Sequence, residues 1–94
     1  MVQQLLEKYW EVSMGEGPNL QRFVERLAAG EFSELGDASK ADITAFLREV
    51  EAITIANIET KAEEGGPFAQ MKEQVIDETR AQVASLIDAY GEAD

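Results

Sequence analysis

Ala52-Ile53-Thr54-Ile55-Ala56-Asn57-Ile58 is the stretch whose reading decides the fold. Taken alone, Ile-Thr-Ile favours a β-strand, because branched side chains suit a pleated surface. No second segment of the chain offers such a run for it to pair with. Read as a helix, Ile53 and Ile55 lie about 200° apart, so this turn is apolar on two sides. Upstream, Ile43, Phe46, Leu47, Val50 and Ile53 recur at the three-to-four-residue spacing of one helix face. Ser39-Lys40-Ala41-Asp42 has the form of a capping box with Asp in the place of Glu. These signals predict one long helix over 39–64.

Gly65-Gly66-Pro67 then breaks the chain, and Pro67 suits the first position of a new helix. From there Phe68, Met71, Val75, Ile76, Thr79, Val83, Leu86, Ile87 and Tyr90 form a continuous stripe over 67–90, closed by Gly91. So short a turn makes the two long helices an antiparallel hairpin. The last residues, Glu92-Ala93-Asp94, are expected to fray.

Two shorter segments precede the hairpin. Val2, Leu5, Leu6, Tyr9 and Trp10 predict a helix over 2–14, with Gly15 as its left-handed cap before Gly17-Pro18. Asn19 is a candidate N-cap for a helix over 19–29, whose face is Leu20, Phe23, Val24, Leu27 and Ala28. The expected fold is therefore all-α, a small bundle of about four helices built on a long C-terminal antiparallel hairpin, within a single domain spanning 1–94. The two-sided turn at Ile53, Ile55 and Ile58 is explained either by helices on both of its sides or by a seam with a second copy, a homodimer.

Composition narrows the chemistry. The 94 residues include no Cys and no His. Thiol nucleophiles, zinc thiolates and the usual general base are excluded with them. The formal net charge is −11, and residues 37–94 hold thirteen of the nineteen acids. Such a field repels nucleic-acid backbones and anionic membranes, so neither is an expected partner. The N-terminus lacks the basic and apolar regions of a secretory signal, and no apolar run is long enough to span a bilayer. The expected location is the cytoplasm.

Carboxylates are the only potential catalytic groups in quantity. A metal-dependent helical phosphohydrolase needs several of them turned inward across neighbouring helices. Here the acids fall mainly opposite the apolar stripes, the pattern of a solvated face. Asp37 and Asp42 flank the start of the third helix, where the macrodipole favours negative charge. Gly15-Glu16-Gly17-Pro18 and Gly65-Gly66-Pro67 lack the following Lys-Ser/Thr of a phosphate loop. Arg22 and Arg26, one turn apart, are expected to pair with Glu25 and Glu16.

Leu35-Gly36-Asp37-Ala38-Ser39, ahead of an amphipathic helix in a small acidic chain, resembles a phosphopantetheinyl carrier protein. The resemblance implies Ser39 as the attachment point of the prosthetic arm. That family has aspartate directly before the serine and a large apolar residue directly after it, where this chain has Ala38 and Lys40.

The leading expectation is a non-catalytic accessory or adaptor protein that binds another protein or its own copy and needs no cofactor or metal. Its candidate interface is Tyr9, Trp10, Ile53, Ile55 and Ile58, although the two aromatics fit a core as well. The alternative is an acidic inhibitor or nucleic-acid mimic that occupies a basic groove, using Glu59, Glu63, Glu64, Glu73 and Asp77. No catalytic residue is assigned.

Overall fold

The computed structural model describes residues 1–92; Ala93 and Asp94, and with them most of the expected fraying, lie outside the described residues. Four α-helices follow one another: α1 (Val2–Glu16), α2 (Leu20–Ala28), α3 (Lys40–Ala62) and α4 (Pro67–Tyr90). A single 3₁₀ turn at Ser33–Leu35 lies between α2 and α3. No strand occurs among the described residues. The stretch from Ala52 to Ile58 is the middle of α3, and the all-α expectation holds.

α3 and α4 pack on each other more extensively than any other pair. Gly65 and Gly66 turn the chain between them with φ of +82° and +80°. Two successive residues in that left-handed region are tolerated by glycine and strained for anything with a Cβ. Pro67 then opens α4 at its first turn. The Ser39–Asp42 capping box forms in both directions, with Asp42 N–H donating to Ser39 Oγ at 3.1 Å and Ser39 N–H donating to Asp42 Oδ2 at 3.0 Å.

Two boundaries differ from the sequence expectation. α1 does not stop at Gly15 but runs to Glu16, and Gly17 takes the left-handed cap with φ +89°. Pro18 explains the shift, because the residue before proline is barred from helical backbone and so the helix must end at Gly17. The second difference lies in the connection from Gly30 to Ala38. It is not a plain loop, for Phe32 and Leu35 are buried there.

The core gathers at one end of the hairpin. Phe23 of α2 is its centre, with ring centroids 5.3 Å from Tyr9, 5.5 Å from Phe46 and 5.2 Å from Phe32. Leu5, Val24 and Leu47 fill the gaps, and Val83, Leu86 and Ile87 close it from α4. Phe32 is capped on its outer side by Lys8 and Arg26, at 5.4 and 5.0 Å from the ring centre. The far end of α4 is drawn in at Gly91, where a Cβ would come within 2.5 Å of Thr44 Oγ1. Thr44 also accepts the Glu92 N–H at 2.7 Å.

Length then dictates what is covered. α3 and α4 are each about 35 Å long at 1.5 Å per residue, whereas α1 and α2 are about 22 and 14 Å. The short helices pack over the base of the hairpin and cannot reach its tip. Ile58 and Ile76 are buried but lie outside the main cluster, further towards the tip. The molecule is accordingly flat, 43 by 32 by 18 Å along its principal axes.

Phe23 is the side chain that joins α1, α2, the connection and α3. Phe23→Ala is expected to cost about 3–5 kcal/mol, as for other large core truncations, read as a drop in the urea midpoint with an unchanged m-value. A cost below about 1 kcal/mol would place the organising contact elsewhere.

Candidate functional site

The feature with the most open chemistry is a trough on one broad face of the hairpin. Three adjoining hollows make it up. The first, about 330 Å³, is lined by Tyr9, Pro18, Leu20, Val50, Thr54 and Thr79, among others. The second, about 140 Å³, is walled by Leu6, Trp10, Pro18, Ile53 and Asn57. The third, about 320 Å³, runs to the tip between Asn57, Ile58, Lys61, Phe68 and Val75. Thr54 lines all three, so the hollows adjoin one another there. The trough exists because α3 and α4 present side chains there to helices that end too soon. Its lining mixes aliphatic and aromatic side chains with the polar groups of Asn19, Thr54, Asn57, Thr79 and Gln82, and Lys61 is the one charged residue lining it among the described residues. The Lys61 ammonium lies 5.3 Å from the centre of the Phe68 ring.

The sequence-based candidates divide across this surface. Tyr9 and Trp10 are adjacent, with ring centroids 6.0 Å apart, yet only Trp10 is open to solvent. Tyr9 is a core residue that also contributes to the trough floor, and burial raises its phenol pKa against an opposing Ser13 hydrogen bond. Ser13 Oγ is itself buried without a partner of good geometry. Ile53 lines the trough and is half-buried. Ile58 is buried at the trough's tip end. Ile55, about 200° from Ile53, is on the other side of α3, where it too is half-buried. The five interface candidates are therefore not one surface. Trp10, Ile53, Ile58 and an edge of Tyr9 share the trough, and Ile55 does not.

The five candidate acids do not line the trough. All are exposed. Glu59 lies about 200° from Asn57, and Glu73 and Asp77 each lie about 200° from Val75, so all three turn away from the trough. Glu63 follows Glu59 at one turn on that same outer side. Glu64 lies past the end of α3, in the turn that leads to Gly65. Among the described residues, no three carboxylates converge to hold a metal ion.

Sequence reasoning placed Thr79 in the stripe of the last helix but missed the trough residues Pro18, Thr54 and Asn57. No periodicity could have selected them, since polar residues at an uncovered helix face carry no distinguishing pattern. Length was the available signal, for helices half as long as the hairpin must leave part of it bare.

A second, smaller hollow of about 50 Å³ lies between α1 and α2 beside Ser13, Arg22 and Arg26. Its cations are already engaged. Arg26 bonds Glu16 at 2.8 Å and Glu31 at 3.2 Å, and Arg22 lies 3.8 Å from Glu16. Glu25, expected to join them, accepts from Gln21 at 3.3 Å instead. The Arg26 guanidinium is thereby raised further in pKa, chiefly by Glu16. Ser39 is exposed, with its Oγ accepting the cap bond from Asp42 N–H.

No protein-family model matches the chain, and no curated protein and no solved structure matches it either. No helix among the described residues is long and apolar enough to cross a membrane.

Two carboxylates are held below their usual pKa. Asp42 is lowered first by the Ser39 backbone N–H, and Glu34 first by its bond to Lys8 at 2.9 Å. A depressed folded-state pKa stabilises the fold above the unfolded value, and that gain is lost as pH falls through the folded value. Stability should therefore drop on acidification below about pH 4, the ordinary carboxylate range. Asp42→Asn and Glu34→Gln together should flatten this acid limb in urea titrations, and an unchanged limb would contradict the assignment.

Proposed function

We propose that the protein is a non-catalytic accessory protein that binds another protein through the uncovered trough of its α3–α4 hairpin. The observation that carries this reading is the run of three adjoining hollows that share Thr54. Its walls are Leu6, Trp10, Ile53, Phe68 and Val75, side chains that gain from leaving water when a partner covers them. Trp10 is half-exposed, the state of an aromatic anchor awaiting a pocket or a partner helix. A rigid helical scaffold with an apolar channel is suited to recognition, and the reading requires no cofactor, metal or reacting group. An exposed apolar surface of this kind marks interaction sites in soluble domains.

The test is paired. The chain and an Ile53→Asp/Val75→Asp variant would be compared by size-exclusion chromatography with light scattering and by pull-down from the native host. Both substituted positions are half-buried trough walls, so helicity by circular dichroism should be kept. A partner, or a second copy, retained by the parent chain and lost by the variant is the expected outcome. A strict monomer that retains no protein from the host would end the reading.

A further inference from the structure

The geometry points to an amphipathic helix of a partner protein as the occupant of the trough, with an acidic group where its apolar stripe meets the hairpin tip. This inference rests on the binding reading above. Two observations carry it beyond an uncovered face.

The first is the sign and place of the charge that an occupant would meet. No carboxylate lines the trough, and its one charged lining residue is Lys61, at the tip end. Lys72 approaches the same end from α4. It lies about 40° from Phe68 and about 60° from Val75, and it is half-buried. Lys61 stands four residues before Gly65 and Lys72 six after Gly66, so both lie within about 10 Å of the turn along the helix axes. Neither takes part in a salt bridge among the described residues, whose ion pairs use Lys8, Arg22, Arg26 and Arg48. One turn away from Lys72 in either direction are Phe68, Ala69, Val75 and Ile76, which offer it no acid. The residues one turn before Lys61 are Asn57 and Ile58, and Glu59 and Glu73 turn away from the trough. An apolar occupant covering this end takes two ammonium groups out of water. A carboxylate on the occupant offsets that cost through charge-assisted hydrogen bonds.

The second is the make-up of the rims. The large hydrophobic side chains most exposed among the described residues are Trp10, Met14 and Met71. Trp10 lines the trough, and Met14 follows it one helical turn later on α1. Met71 lies about 40° from Val75 and about 60° from Phe68 on α4. Two flexible methionines and a tryptophan beside a channel suit an apolar helical stripe, to which the methionines adapt by changing rotamer. From Val50 to Lys61 the α3 wall runs about 16 Å, the length of three helical turns.

The net charge of −11 repels an acidic partner at long range. The preference is therefore one of position: an acid strengthens binding at the tip end and nowhere else along the stripe.

The probes are three synthetic helical peptides of about 15 residues, with blocked termini, no tryptophan and one composition. Each has a leucine stripe, two glutamates and otherwise uncharged flanks. The glutamates stand in the first turn, in the middle or in the last turn. All three peptides carry the same charge, so the field of the whole chain cancels from the comparison. Binding to the full chain would be followed by the emission of Trp10, the single tryptophan, and by amide shifts in the NMR spectrum. One of the two end-loaded peptides should bind at least about tenfold more tightly than the centre-loaded one. Lys61→Gln/Lys72→Gln should erase that preference, with an unchanged helical spectrum as the folding control. Lys40→Gln/Arg80→Gln removes the same charge at the start of α3 and about 140° from Val75 on α4, and should retain it. Equal affinity for all three peptides, or a preference that survives in the Lys61/Lys72 variant, would overturn the inference. No binding of any peptide would overturn it too, in favour of a second copy where light scattering shows a dimer. A host partner held by the Lys61/Lys72 variant and lost on Ile53→Asp/Val75→Asp would leave the binding reading standing even then, so the two failures are distinguishable.

Discussion

The contact on which the rest of the structure depends is the packing of Phe23 against Tyr9, Phe32 and Phe46. It fixes α2 across the base of the hairpin, and through Tyr9 it fixes α1 beside it. Four aromatic rings at edge-on, tilted and stacked approaches concentrate apolar burial where the chain is most crowded. Once they are in place, two helices of about half the hairpin's length have no freedom to slide towards its tip. The exposed trough is thus a consequence of where the core is anchored. It is not a packing fault, because extending coverage to Phe68 would mean taking Phe23 out of its cluster.

Charge follows the same division. At the base, Lys8 and Arg26 cover Phe32 with their stems and direct their charges to Glu34, Glu16 and Glu31. Such surface pairs contribute little individually, but they seal the one aromatic that comes from a connecting segment. Further out, α3 and α4 display acids without counter-ions, where the helices also lose their apolar cover.

Much of the architecture was legible in the sequence. Period, capping signals and the Gly65-Gly66-Pro67 break located all four helices, and the lack of a pairing partner for Ile53 to Ile55 favoured helix over strand there, which the structure decides as helix. What escaped was set by tertiary context. Phe32 and Leu35 belong to a single 3₁₀ turn, too short to show a period, so their burial had no local signature. The site was less legible than the fold. Trp10, Ile53 and Ile58 were identified as candidates and do border one trough, while Ile55 and four of the five candidate acids turn elsewhere, because an angle of about 200° between neighbours on a helix divides a short apolar or acidic run between two faces. Thr54 and Asn57 became visible only when the lengths of four helices could be laid against each other.

The central claim is that the trough face of the hairpin is open in the isolated chain while the base is closed. Solvent paramagnetic relaxation of methyl resonances measures this directly. With a soluble gadolinium chelate, the methyls of Ile53 and Val75 should relax strongly, and those of Val24, Leu47 and Val83 should be shielded. Equal shielding of all five would mean that the trough is already filled, by the chain itself or by a second copy, and would contradict the account.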